Sequence, residues 1–87
     1  MTHTLSIEYD DAVLLSAGLP EQEFNEEARF LLAAKLYEMG CLSSGQSARL
    51  CGMNRVAFLS SLPRAGVPIS NIRDEDAEIE IEAFRGA

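Results

Sequence analysis

Between Ser43 and Leu62 the chain reads SSGQSARLCGMNRVAFLSSL, and this stretch limits the possible folds more than any other. It divides into two short helices at Gly52, where the bend calls for a residue that tolerates positive φ. Ala48 is small enough for the first helix to press against the second. Met53, Phe58 and Leu62 follow at a spacing that can fill the angle between them. A helix-turn-helix has this arrangement. Any compact helical corner can place an alanine and a glycine in the same way, so the pattern leaves both readings open.

The distribution of charge bears on the choice. The net charge of −7 is the opposite of what a general nucleic-acid binder carries. Residues 1–40 hold eight acids and two bases, and residues 74–87 hold six acids and one arginine. Residues 41–73 hold Arg49, Arg55, Arg64 and Arg73 and no acid. The acid-free window coincides with the helical corner. It reads either as a solvated basic face or as a local patch for phosphates.

A second helix running from Asn54 to Leu62 turns Phe58 and Leu62 inward and Val56 and Ser60 outward, with Arg55 and Ala57 to the sides. Base edges are discriminated mainly by bidentate Arg, Asn or Gln. Asn54, Arg55 and Ser60 are therefore the candidates for base contacts, while Gln46, Arg49 and Arg64 are placed for phosphates. Val56 and Ala57 offer methyl contacts at most. Such a thin reading head implies weak binding by one copy, strengthened by dimerisation or a partner.

The rest of the chain supports one small domain. Its 87 residues allow a single modest core, and 47% hydrophobic residues suit a folded chain. Thr4 to Tyr9 alternates, with Leu5, Ile7 and Tyr9 on one side, as a half-buried strand does. Asp10 and Asp11 offer an N-cap for a short helix ending at Gly18. A long helix is expected from about Pro20 to Met39, with Phe24, Ala28, Leu31, Leu32, Leu36 and Met39 in one stripe. Phe30, Ala33, Ala34 and Tyr37 form a second. Two apolar faces mean a central helix or one that meets a second protomer, and a homodimer is the favoured expectation. Pro63 should end or distort the last motif helix near Leu62. Gly66 then turns the chain into an extended segment able to pair with the first strand. The expected fold is mainly α: a helix-turn-helix bundle with a long central helix and a minor two-strand ribbon, about residues 4–9 and 67–72. Residues 1–73 form this domain, and residues 74–87 an acidic tail, partner-binding or partly disordered, whose Ile79, Ile81 and Phe84 are candidate anchors for a protein partner.

Groups for catalysis do not converge. There is one histidine, His3, and no serine has a base nearby in the sequence; P-loop, GxGxxG and HExxH motifs are absent. Cys41 and Cys51 are ten residues apart with no further ligands at zinc spacing, so neither metal nor cofactor is expected. Cys51 sits at an apolar helix position, as a small core residue would. No apolar run approaches the ~20 residues that span a bilayer, and the N-terminus lacks a signal-peptide pattern; a cytoplasmic protein is expected.

The order of these parts resembles a small prokaryotic family long described only as uncharacterised and taken as helix-turn-helix antitoxins encoded beside PIN-domain toxins. Ala33 and Leu36-Tyr37-Glu38-Met39-Gly40 carry the resemblance before the motif. Ser43, Gly45, Ala48, Gly52, Phe58 and Leu62 carry it within the motif, and Gly66-Val67-Pro68 after it. It covers most of residues 5–72. The resemblance implies transcriptional autoregulation and binding of a partner nuclease; neither follows from composition or spacing.

Overall fold

In the computed structural model, which describes residues 1–68, four helices and a closing 3₁₀ turn follow one another. Helix α1 (Asp11–Ala17) starts where the Asp10 carboxylate accepts from the Val13 N–H at 3.3 Å. Gly18 ends it, donating to the Leu14 carbonyl at 2.9 Å. Pro20 leads into α2 (Glu21–Glu38), whose first-turn acids Glu21 and Glu23 lie at the positive end of its dipole.

The stripe that α2 buries is Phe30, Ala33, Ala34 and Tyr37. Ala48 of α3 (Ser44–Leu50), Phe58 of α4 (Arg55–Ser61), Leu62 and Val67 complete the core. The alanines remove bulk where the helices approach, and the rings fill the remaining space edge-on. Phe58 meets Phe30 at 6.0 Å and Tyr37 at 5.9 Å between centroids, a geometry that lets a ring's positive edge meet a negative face. The other stripe of α2 points away from this core, with Ala28, Leu31, Leu32 and Met39 exposed. On that side the Tyr9 ring lies 4.8 Å from Phe24, and its hydroxyl donates to Asn25 Oδ1. Helix α2 is thus central, with the helical corner on one flank and α1 and the N-terminal segment on the other.

Pro63 acts as its chemistry requires. Helix α4 stops at Ser61 and the chain tightens into the 3₁₀ turn over Leu62–Ala65, which tolerates a proline that has no N–H to donate.

The expected two-strand ribbon does not appear among the described residues. Residues 4–9 are without strand structure, and no strand occurs among the described residues. The reason lies at Val67. Its side chain is 2% exposed within the core, and its N–H donates to the Leu62 carbonyl at 3.0 Å to close the 3₁₀ turn. A residue held in this way cannot open a strand against residues 4–9. The rest of that expected strand, residues 69–72, and the tail anchors Ile79, Ile81 and Phe84 lie outside the described residues. No helix among the described residues is long and apolar enough to cross a membrane.

Candidate nucleic-acid interface

The corner is built by local hydrogen bonding. Ser43 and Gln46 form a reciprocal capping box: the Gln46 N–H donates to Ser43 Oγ at 3.1 Å, and the Ser43 N–H donates to Gln46 Oε1 at 3.0 Å. At the other end of α3 the Met53 N–H reaches back to the Ala48 carbonyl at 2.9 Å, and the Gly52 N–H to the Arg49 carbonyl at 3.3 Å. This paired closure places the intervening residue in the left-handed region, and Gly52 has φ +75°. Asn54 then starts α4, its Oδ1 accepting from the Ala57 N–H at 2.8 Å. With Ala48 and Phe58 buried, Met53 packs against the core as expected.

The six candidate DNA-contacting residues do not share one fate. Gln46 is exposed, yet its carbonyl oxygen serves the capping box, so its amide nitrogen is what it can offer a phosphate. Arg49 is exposed on α3, and no ion pair engages it among the described residues. Asn54 spends its oxygen on the cap of α4. Arg55 is half-buried and donates from Nε to Ser44 Oγ at 2.9 Å, tying the start of α4 to the start of α3. Ser60 is exposed, with its hydroxyl donating to the Val56 carbonyl of its own helix at 2.9 Å.

Arg64 stands apart. Its guanidinium donates to Glu27 Oε1 at 2.6 Å and covers the Phe30 ring at 4.4 Å from the centroid. The carboxylate offsets the charge that a phosphate would meet, while the ring holds the side chain against α2. Sequence reasoning placed Arg64 on the basic patch because Glu27 is 37 residues away and no local signal joins them. The pairing of Arg55 with Ser44 was equally invisible. The capping box was missed, with Gln46 assigned to phosphates, although S-x-x-Q ahead of the helix could have revealed it.

The outward arc of α4 carries Val56, 71% exposed, between the engaged Arg55 and Ser60. The surface can therefore present one unpaired guanidinium, two amide groups and a methyl patch. Cys51, half-buried at the turn, donates from its thiol to the Ala48 carbonyl at 3.5 Å, and burial pushes its pKa up, which favours the protonated thiol. Among the described residues no group of three or more His, Cys, Asp or Glu side chains could hold a metal ion.

Comparison with known proteins adds the lineage. The model of the uncharacterised protein family UPF0175 matches residues 1–86. The chain belongs to this family. A UPF0175 protein of Aeropyrum pernix is 35% identical over 67 residues, covering 77% of this chain and 74% of the relative. Another, from Archaeoglobus fulgidus, is 36% identical over 52 residues, covering 60% of each. No solved structure matches. Membership in UPF0175 agrees with the uncharacterised family that the motif residues resemble, and it carries no activity with it.

Proposed function

We propose that this protein is a DNA-binding regulator of its own transcription and the antitoxin half of a toxin–antitoxin pair. The observation that supports DNA binding is the glycine-closed corner of α3 and α4, which displays Arg49 on a described surface (residues 41–68) whose sequence has no acid. Arg49 and Gln46 would hold phosphates, with Asn54 and the edge of Arg55 nearest the bases. The reading head remains thin, so a homodimer doubles the contacts and sets the spacing between half-sites. The antitoxin part rests on the family resemblance. The resemblance implies a partner nuclease of the PIN-domain type; we assign its binding to the acidic tail with Ile79, Ile81 and Phe84, from the tail's own charge and apolar pattern, and place the pair in the cytoplasm.

A specific observation favours a second reading. Arg64 is neutralised by Glu27 and Arg55 is engaged with Ser44, as suits an interaction module that never touches DNA. An electrophoretic shift on the region upstream of the gene, with and without the co-expressed neighbouring protein, separates the two. A salt-sensitive shift is expected. Retention of a stable protein partner with no DNA, unaffected by Arg49→Ala, would establish the interaction module instead.

A further inference from the structure

The N-terminal segment is the least explained part of the molecule. Its sequence alternates as a strand does, yet among the described residues Met1 to Glu8 enter no hydrogen bond. Leu5 and Ile7 are 69% and 70% exposed. Tyr9 anchors it, on Phe24 and Asn25. An open groove separates this arm from α1 and α2, lined on its apolar side by Leu5, Ile7, Leu14, Ala28 and Leu32. A segment whose backbone makes no hydrogen bonds and whose sequence alternates apolar with polar residues can pair as a strand with another copy.

We propose that the arms of two copies, residues 4–8, pair as an antiparallel ribbon about a two-fold axis at Ser6, and that this ribbon closes the groove of each protomer. The register follows from the side chains. A two-fold at Ser6 sets Leu5 of one copy opposite Ile7 of the other and Glu8 opposite Thr4. No charge faces a like charge, and both apolar pairs lie on one face. Tyr9 keeps its place on its own α2. The exposed Leu5, Ile7 and Leu32 are the apolar surface that symmetric pairing covers. The chain's own acidic tail is a poor occupant. Glu8, Asp10, Asp11 and Glu21 line the groove against one base, Arg29, and would repel it.

This inference deepens the dimer reading above and supplies its interface. Its test needs no DNA. The full chain should sediment as a dimer at micromolar concentration, and Ile7→Glu should weaken self-association roughly a hundredfold, because it sets a carboxylate in an apolar contact. Leu5→Glu should do the same. Both positions are exposed in one copy, so an unchanged circular dichroism spectrum is expected for each variant. With Cys41 and Cys51 replaced by serine and alanine, Ser6→Cys should form a disulfide between copies under mild oxidation. Glu8→Cys should not, because four residues of offset along the ribbon separate the pair by about 13 Å. A monomer, a dimer indifferent to Ile7→Glu, or equal cross-linking at both positions would overturn the proposal. An arm-dependent dimer that fails to shift DNA would leave it standing and remove the regulator.

Discussion

Phe58 and Ser47 are both fully buried, and their chemistry predicts opposite responses to truncation. Phe58 fills the angle of the corner and touches two rings. Phe58→Ala should cost ~3–5 kcal/mol, through lost burial and the cavity left behind. A domain of this size has only about 5–15 kcal/mol to lose, so urea unfolding should show a variant largely unfolded or close to it. A normal unfolding midpoint would show that the inward face of α4 has been misread. Ser47 lies at 0% exposure on α3, and its hydroxyl has no hydrogen-bond partner among the described residues. Ser47→Ala removes that uncompensated polar group and should raise stability by about 1 kcal/mol, seen as a higher urea midpoint at unchanged slope. Phe58 was legible in the sequence because helical spacing from Met53 to Leu62 marks it. Ser47 was not, since a serine that follows Gln46 and precedes Arg49 by two residues reads as surface. Its burial comes from the packing of α3 on α2.

Local chemistry accounts for most of the elements. Asp10, Ser43 and Asn54 each accept from a backbone N–H three residues on, and the starts of α1, α3 and α4 follow from those bonds. Gly52 ends α3 with φ +75°, and a Cβ added there would meet no heavy atom within 4 Å. Gly52→Ala should therefore act through backbone strain alone, costing about 1 kcal/mol without a steric clash. Thermal unfolding should show that modest loss with the fold retained; no loss would mean the corner closes in another way. Such features are readable because caps and glycine closures act within a few residues. The ribbon failed for the opposite reason. Pairing of residues 4–9 with 67–72 depended on where Val67 would be spent, and the 3₁₀ turn created by Pro63 takes its N–H while the core takes its side chain. Neither could be read from the alternation of Leu5, Ile7 and Tyr9.

For the whole molecule, the arrangement of charge is the central issue. Acids dominate the N-terminal forty residues and the C-terminal fourteen, and the corner between them presents bases. The window was visible in the sequence. The recruitment of Arg64 by Glu27 across the fold was not, and it leaves Arg49 as the exposed guanidinium of the corner that no described carboxylate engages. Overall repulsion between an acidic protein and DNA makes a single contact of this kind count, and a dimer presents it twice. The deciding measurement is fluorescence anisotropy of a labelled duplex from upstream of the gene, titrated with wild type and Arg49→Ala over a range of salt concentrations. Wild-type affinity should fall linearly in log–log coordinates, and Arg49→Ala should weaken binding on every sequence while reducing the slope by about 1 for each protomer bound. Binding that does not respond to salt, or a slope unchanged by the loss of Arg49, would contradict a corner that meets phosphates.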